Sequence, residues 1–296
     1  MVDTADRPDL ATGPPTARWP GALVFGVVAL AFADASIVVL GLADIYGEMD
    51  VGIVAVSWVV TAYAAAVVVV AAGLALLGGR VAPPLALGAG LVLFAAGSVG
   101  SAAASTIEVL IGARTVQGVG AALLLSATLP TLTAVVGAPD RAVRSWSAAG
   151  VVGAVLGPAV GGLLTQVFDW RAIFWVQAPV AVAALAVLAL PAVRAAASSG
   201  PVAEPTSDDE PDGTPGVRGV VLANIAFGLL FAAAVGALFL TVLCAIEVWR
   251  FEPLGGALVV SALPAATLVA HPLVVRLGLF ERVVVGVGSL VCGLSP

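Results

Sequence analysis

The stretch "IGARTVQGVGAALLL", residues 111–125, places Arg114 and Gln117 inside a run that is otherwise small and apolar. If this run crosses a bilayer, a guanidinium near its centre costs roughly 2.5 to 3.5 kcal/mol on insertion scales. A charge at such a depth pairs with another group or faces a water-filled cavity. The stretch therefore predicts a membrane-spanning helix with a polar site, and it requires a partner for Arg114 elsewhere in the chain.

The composition of the chain is that of a membrane protein. Of its 296 residues, 61% are hydrophobic and only 10% are charged, whereas a soluble domain carries roughly 25% charged residues. About 20 apolar residues cross the hydrocarbon core as a helix, and a helix satisfies its own backbone hydrogen bonds. The long apolar runs therefore predict an all-α polytopic membrane protein embedded in a lipid bilayer.

Eight complete spans are predicted, and a ninth begins near Arg282. The eight cover residues 21–45, 52–77, 84–104, 108–136, 145–168, 171–193, 217–246 and 255–275. We predict four regions: a cytoplasmic N-terminal tail over 1–20, a six-helix transmembrane bundle over 21–193, a disordered acidic cytoplasmic linker over 194–217 and a partial C-terminal bundle over 218–296. Because the last apolar segment stops at Pro296, short of a full span, we expect the chain to be C-terminally incomplete.

The orientation follows from arginine, since the sequence contains no lysine. With the N-terminus in the cytoplasm, only Arg171 and Arg250 fall on outer segments. The arginines that fall on cytoplasmic segments are Arg7, Arg18, Arg80, Arg141, Arg144, Arg194, Arg218, Arg276 and Arg282. This asymmetry follows the positive-inside rule. We expect a multi-pass protein of the cell inner (plasma) membrane with a cytoplasmic N-terminus.

The missing residue types exclude several functions. Without lysine there is no Walker A loop for a nucleotide and no Schiff-base amine, and the single histidine, His271, excludes an H-E-x-x-H zinc site. We therefore expect neither an enzyme nor a cofactor or metal, and neither nucleotide nor nucleic acid as a partner. An ion or substrate gradient is then the expected source of energy.

Asp34, in "LAFADASIVVLG", is the second charge inside a predicted span. It lies roughly 16 Å below the outer end of its helix, and Arg114 lies roughly 9 Å below the same surface. The difference is little more than one turn, which a long arginine side chain can absorb. The pairing predicts a titratable carboxylate suited to proton coupling. The alternatives are a structurally bonded acid for Asp34, a bridge to backbone carbonyls for Arg114 and a plain interhelical hydrogen bond for Gln117.

A second pattern occurs in the fifth predicted span, "GVVGAVLGPAVGG". Glycine recurs there at spacings of three, four and four, which places these residues on one helix face. The four residues, called the glycine face below, are Gly150, Gly153, Gly157 and Gly161. Such a face lets a neighbouring helix pack closely, and Pro158 removes one internal hydrogen bond. Two interpretations stay open, a structural packing face and a hinge or seal between two halves of the protein.

Both stretches resemble motifs of the major facilitator superfamily, specifically of its drug/proton antiporters. "ARTVQGVGAALLLSATL" is similar to the fourth-helix motif R-x-x-Q-G-x-G-A-A, whose matching positions here are Arg114, Gln117, Gly118, Gly120, Ala121 and Ala122. "GAVLGPAVGG" is similar to the fifth-helix motif G-x-x-x-G-P-x-x-G-G, matched by Gly153, Gly157, Pro158, Gly161 and Gly162. "ADASIVVLGLADI" and "DWRAIFWVQAP" resemble the family's first-helix pattern and its sixth-helix start, with Asp34 in the acidic place and Gln177 where Asn is usual.

The resemblance implies the major facilitator fold, with a complete N-terminal six-helix bundle and a partial C-terminal bundle. It also implies multidrug-type efflux, in which protons are exchanged for small organic or drug-like molecules by alternating access. In that scheme Asp34 and Arg114 serve proton coupling, Gln117, Gly118 and Gly120 belong to the motif or cavity, and the fifth-helix motif serves conformational exchange.

One departure concerns the loop between the second and third helices. The family pattern G-x-L-A-D-R-x-G-R-R is matched in "LLGGRVAPPLA" only by Arg80, with Gly79 in the Asp place. Because the resemblance implies a cytoplasmic gate at this loop, an altered gate is expected. The alternative function is a transport-inactive, truncated membrane protein that acts as a binding or scaffolding partner.

Overall fold

The structure is a computed structural model that describes residues 18–77, 80–188 and scattered positions between 240 and 266. Over 18–77 and 80–188 it is built only of helices, which confirms the predicted all-α class. The helices are α1 (Arg18–Ile37), α2 (Leu42–Met49), α3 (Ile53–Leu76), α4 (Pro83–Ala102), α5 (Ile107–Val136), α6 (Pro139–Val167) and α7 (Arg171–Leu188). The predicted spans after residue 193, and the linker before them, lie largely outside the described residues.

Five stretches of helix are long and apolar enough to cross a membrane. They are Gly21–Met49, Ile53–Leu76, Pro83–Ala102, Ile107–Val136 and Pro139–Val167. The sixth predicted span corresponds to α7, whose apolar part, Arg171–Ala186, is shorter than these. The first six predicted spans therefore each coincide with helix in the structure.

The apolar run of the first span predicts one uninterrupted helix, but the structure shows a break in it. A 3₁₀ turn over Val38–Gly41 separates α1 from α2, and all four of its residues are buried. A Cβ atom on Gly41 would lie 3.1 Å from Cβ of Trp170, just before α7, and 3.4 Å from Cδ1 of Ile173, so the backbone of this turn packs against the start of α7. The tighter 3₁₀ winding contains the β-branched residues Val38 and Val39 and ends at this glycine, and both residue types weaken α-helix.

The fifth predicted span begins six residues too late. Asp140, Arg141 and Arg144 were expected in a loop, but α6 already starts at Pro139. Proline fits the first position of a helix, and an acidic side chain in the first turn interacts favourably with the helix dipole. Gly137, in the left-handed conformation with φ 68°, ends α5 just before. The connection between α5 and α6 is therefore only two residues long.

The helix α5 is central to the bundle, since it contacts α1, α3, α4 and α6. Its contact with α4 is a backbone contact: a Cβ atom on Gly97 would lie 2.6 Å from Cβ of Gln117, and one on Gly120 would lie 2.5 Å from the backbone nitrogen of Phe94. The helix α1 packs against α6, and α4 packs against α7. This arrangement directs polar residues of α1, α4, α5 and α7 toward one point inside the bundle.

Candidate functional site

Asp34 on α1 and Arg114 on α5 form an ion pair inside the bundle. The Nη1 atom of Arg114 lies 2.9 Å from Oδ2 of Asp34 and 3.0 Å from Oδ1. The two side chains are 0% and 1% exposed. Each charge therefore offsets the desolvation of the other, and removal of either one would leave an uncompensated charge in the core.

Two glutamines complete the hydrogen bonding of the carboxylate. Nε2 of Gln177 on α7 donates to Oδ1 of Asp34 over 2.8 Å, and Nε2 of Gln117 donates to the same oxygen over 3.2 Å. The side-chain oxygen of Gln117 in turn accepts from Nη1 of Arg114 over 2.7 Å. Asp34 is thus hydrogen-bonded by three buried side chains, which is the environment that an ionised carboxylate needs away from water.

The rest of the guanidinium contacts α3 and α7. Nε of Arg114 donates to the carbonyl of Val59 over 3.4 Å, and its Cζ lies 4.3 Å from the ring centre of Tyr63 and 5.6 Å from that of Phe174. The hydroxyl of Tyr63 donates to the carbonyl of Ala31 on α1 over 3.3 Å. Arg114 therefore makes both the carboxylate contact and the carbonyl contact that the sequence left as alternatives, with cation–π contacts in addition.

Gln117 is shared between three acceptors. Besides Asp34, its Nε2 lies 2.9 Å from Oγ of Ser98 on α4 and 2.8 Å from Oε1 of Gln177. An amide nitrogen carries two hydrogens, so it can serve two of these three oxygens at once. We call Asp34, Arg114, Gln117, Gln177 and Ser98 the buried network. It connects α1, α4, α5 and α7.

Two motif glycines lie next to this network but pack helices together. A Cβ atom on Gly118 would lie 2.5 Å from the carbonyl oxygen of Tyr63, so α5 touches the backbone of α3 there. Gly120 makes the equivalent contact with α4. Arg80 is not brought to the site: it is exposed in the connection between α3 and α4, where its Nη1 donates to the carbonyl of Leu77 over 3.3 Å.

The glycine face of α6 packs against α1, the helix that carries Asp34. A Cβ atom on Gly153 would collide with the carbonyl of Ala29, one on Gly157 with the Ser36 hydroxyl, and one on Gly161 with the carbonyl of Ile37. The fourth member, Gly150, lies against the Phe32 ring, and Pro158 and Gly162 are also buried. In the structure this face is thus a contact within the described bundle, and it sets the distance between α1 and α6.

A second polar group lies at the end of the bundle that is predicted to face outside. Arg171 Nη1 lies 2.7 Å from Oε1 of Glu48, and the indole nitrogen of Trp170 donates to Oε2 of Glu48 over 2.7 Å. Nη2 of Arg171 also donates to the carbonyl of Ala104 over 3.2 Å. Glu48, Trp170 and Arg171, called the outer cluster below, tie α2 and the α4–α5 connection to α7.

A small crevice of about 110 Å³ lies between α1, α6 and α7. Its walls are apolar, among them Leu30, Ile37 and Val160, and Gln177 is the one polar side chain that lines it. The crevice therefore reaches a side chain of the buried network. No group of three or more potential metal-ligating side chains occurs among the described residues.

Sequence reasoning missed several members of the site. Gln177, Ser98, Tyr63 and Phe174 all contribute, although only the ion pair and Gln117 were predicted to meet. A signal existed for Gln177, since it is a polar side chain inside an apolar run. Tyr63 and Phe174 lie in stretches that resemble the family, "SWVVTAY" and "DWRAIFWVQAP", but the resemblance did not place them at the ion pair. Serine is common in membrane helices, so nothing in the sequence distinguished Ser98.

Apolar spans packed around a buried carboxylate–guanidinium pair define a multi-pass helical membrane protein with a polar core. Residues 24–296 match the model of the Major Facilitator Superfamily, and the chain belongs to that family. It is a transporter family, and the matched relatives include drug efflux and resistance proteins.

Three relatives show how far the similarity extends. The chain is 34% identical over 181 residues to the puromycin resistance protein pur8 of Streptomyces alboniger. The aligned region covers 58% of this chain and 35% of that protein. It is 38% identical over 156 residues to the multidrug resistance protein Stp of Mycobacterium tuberculosis, where the aligned region covers 50% of this chain and 28% of that protein. It is 35% identical over 180 residues to the lincomycin resistance protein of Streptomyces lincolnensis, where the aligned region covers 58% of this chain and 37% of that protein. The matched part thus spans about a third of each relative.

A solved structure supports the fold. The bacterial homolog of the human lysosomal transporter Spinster, crystallised in an inward-facing and unoccupied conformation, superimposes with a TM-score of 0.60 at 15% sequence identity. The match covers 86% of this chain and 60% of that one. At this identity the likeness concerns the fold alone, and it agrees with the family assignment.

Proposed function

We propose that this chain acts in proton-coupled efflux, exporting small organic or drug-like molecules across the cytoplasmic membrane by alternating access. The family and the resistance proteins among the relatives support the class of substrate. The observation that carries the proton coupling is the buried contact between Asp34 and Arg114, because only the ionised carboxylate can form an ion pair with the permanent charge of Arg114.

The proposed coupling follows from charge balance. While Asp34 is ionised, the pair is neutral as a whole and holds α1 to α5. A proton on Asp34 removes the attraction and leaves the guanidinium with the side-chain oxygen of Gln117, the carbonyl of Val59 and the ring of Tyr63. Protonation thereby weakens one contact between α1 and α5 and lets α1 move. A substrate that favours the moved position would be exchanged for the proton.

The glycine face gives α1 a surface along which it can move. Because backbone rather than large side chains lines the contact with Gly153, Gly157 and Gly161, a shift of α1 meets few interlocking side chains. We assign the conformational role to these glycines together with Pro158 and Gly162. Arg80, at the exposed α3–α4 connection, belongs in this proposal to an altered cytoplasmic gate.

The proposal includes the topology expected from the arginines. In this proposal the protein lies in the inner membrane with its N-terminus in the cytoplasm. Residues 21–193 form one bundle, and we propose that the segment 194–217 links this bundle to the helices of a second one. Protons and a small molecule are the partners. The family match and the fully paired ion pair favour this function over the alternative of a transport-inactive scaffold.

Proton flux in reconstituted vesicles tests the proposal. Puromycin and lincomycin, named in two relatives, serve as trial substrates, and the flux that their gradients drive is measured for wild type, Arg114→Ala and the control Arg144→Ala, which removes an exposed arginine of α6. We expect drug-driven flux in wild type and in the control, and its loss in Arg114→Ala. Equal flux in all three proteins would overturn the role of Arg114.

A further inference from the structure

A seam between α6 and α7 is open over the halves of these helices that are predicted to lie nearer the outside. Two cavities follow one another along it: the crevice of about 110 Å³ described above, and a wider pocket of about 360 Å³ at the outer end. Val176 lines both cavities, so they adjoin. We call the two cavities together the α6–α7 seam. Its walls recur every four positions, at Leu156, Val160, Leu164 and Phe168 on the side of α6 and at Val176 and Val180 on α7.

The length and the walls of the seam suit a hydrocarbon chain. Twelve residues separate Leu156 from Phe168, which is about 18 Å along a helix, and one leaflet contributes about half of the roughly 30 Å hydrocarbon core. The side chains of Leu156, Val160, Val176 and Val180 are apolar and exposed within the described part of the chain. Such a groove at membrane depth is filled at least cost by an apolar chain that runs parallel to the helices.

The outer end of the seam has a different chemistry. The wider pocket is lined by the charged residues Asp169 and Arg171, and by the exposed aromatic side chains of Phe168 and Trp175. Tryptophan is enriched where a membrane protein crosses from hydrocarbon to headgroups. The pocket therefore lies at the depth of lipid headgroups, and it offers one charge of each sign beside an apolar groove.

Both charged side chains keep capacity for a ligand. The exposed Asp169 accepts through Oδ1 from the backbone nitrogen of Ala172 over 3.1 Å, and a carboxylate offers about four acceptor positions. Arg171 contacts Glu48 and the carbonyl of Ala104, and a guanidinium has five N–H donors. Because Glu48 and Arg171 form an ion pair, Asp169 leaves one net negative charge at this end. An ammonium beside Asp169 is favoured, and Arg171 can also donate to a phosphate.

We propose that the α6–α7 seam binds a zwitterionic phospholipid of the outer leaflet whose headgroup carries a primary ammonium. Its ammonium contacts Asp169, its phosphate contacts Arg171, and one acyl chain lies along the seam as far as Gln177. Phosphatidylethanolamine has this chemistry. The ammonium of phosphatidylcholine has no N–H to donate to a carboxylate, and phosphatidylglycerol has no cation for Asp169.

The inner end of the seam reaches the helix that carries Asp34. Leu30, Ala33 and Ile37 of α1 line the crevice between α6 and α7. A bound acyl chain therefore packs against α1 on either side of Asp34, as well as against Gln177 of the buried network. The inference concerns binding, and it holds whether or not Asp34 takes part in proton coupling.

Quenching of tryptophan fluorescence by brominated acyl chains tests the proposal on the full chain. The protein is reconstituted in nanodiscs of phosphatidylcholine, to which phosphatidylethanolamine, phosphatidylcholine or phosphatidylglycerol with brominated chains is added in increasing mole fraction. The quenching due to Trp175 is the difference between wild type and Trp175→Phe. The difference between wild type and Trp58→Phe reports on Trp58, an exposed tryptophan of α3 that lies outside the seam.

We expect brominated phosphatidylethanolamine to quench Trp175 at a mole fraction about two- to fivefold lower than the other two lipids, the range that an exposed charge pair contributes. Trp58 should be quenched alike by all three. Asp169→Asn should remove the preference at Trp175, and asparagine caps a helix as well as aspartate does, so the start of α7 is kept. The matched control is Asp50→Asn, which removes an exposed acid after α2 and should keep the preference.

Three results would overturn the inference. If no brominated lipid quenches Trp175, protein covers the seam, either from the rest of this chain or from a second copy. If the three lipids quench Trp175 equally, the seam is in contact with bulk lipid and selects no headgroup. If the preference for phosphatidylethanolamine is unchanged in Asp169→Asn, the ammonium is not bound at Asp169.

Discussion

Two carboxylate–guanidinium pairs join the described helices, and they differ in burial rather than in length. Asp34 and Arg114 lie 2.9 Å apart with side chains 0% and 1% exposed, whereas Glu48 and Arg171 lie 2.7 Å apart with side chains 48% and 26% exposed. In the outer pair water can replace either partner, so the bond is worth little. In the inner pair nothing replaces a lost partner, so the same contact can control the position of a helix.

The two pairs also differ in the groups that hold them in place. The inner pair is held by two glutamines and by the ring of Tyr63, from α3, α5 and α7. The outer pair is held by the indole of Trp170, over which Arg171 also stacks at 4.2 Å, and by one backbone carbonyl. A partner can be removed from the outer pair at low cost. Three experiments examine this contrast, from the largest expected effect to the smallest.

Removing one partner of the inner pair should have the largest effect. We expect Arg114→Met to lower the free energy of unfolding by about 3–5 kcal/mol, because it leaves the Asp34 carboxylate buried without its cation. The double variant Asp34→Asn/Arg114→Met should recover most of that loss, since no charge remains in the core. Denaturant unfolding in detergent micelles measures both. A double variant as unstable as Arg114→Met would show that packing rather than charge sets the cost.

Adding a side chain to the contact between α1 and α6, which positions Asp34, should have an intermediate effect. Gly157→Ala places a methyl group against the Ser36 hydroxyl and the carbonyl of Ala33, next to Asp34, and we expect it to cost about 1–3 kcal/mol of stability. Gly26→Ala on α1 is the control, because a methyl group there meets no atom within 4 Å. Thermal unfolding compares the two variants. If both behave like wild type, the contact between α1 and α6 tolerates more space than its geometry indicates.

Removing a partner of the outer pair should have the smallest effect. We expect Glu48→Gln to change stability by at most about 1 kcal/mol, and expect the change to vanish near 1 M salt, where exposed charges are screened. The loss in Arg114→Met should persist at that salt concentration. Unfolding curves at low and high salt test both statements. A salt-independent loss of several kcal/mol in Glu48→Gln would remove the distinction between the pairs.

The ion pair could be predicted from the sequence because charged residues are rare in apolar runs. Asp34 and Arg114 are the charges that lie away from the ends of the first and fourth predicted spans, and their estimated depths differed by little more than one turn. The glutamine that completes the site from α7 was visible as a polar residue. Its contact with Asp34 depends on how α7 lies against α1 and α4, and spacing within one helix carries no information on that packing.

Other features depend on tertiary contacts that a hydropathy pattern does not contain. The 3₁₀ turn over Val38–Gly41 forms where α7 approaches the backbone at Gly41, so the sequence of the first span alone predicts an unbroken helix. The early start of α6 was missed for a local reason, since charged residues were assigned to a loop although Pro139 and Gly137 mark the helix boundaries. The spacing of the four glycines did not show which helix packs against the glycine face.

The two-residue connection between α5 and α6 limits how α1 can move. The helix α1 contacts α5 through the ion pair and α6 through the glycine face. Gly137 and Ala138 join α5 and α6 so closely that the end of α5 and the start of α6 stay together. Sideways displacement of α1 would open one of the two contacts. Translation of α1 along its own axis keeps it against the glycine face of α6 while it separates Asp34 from Arg114. Of the rigid-body motions of α1, the one that breaks the ion pair at least cost is therefore a shift along its axis.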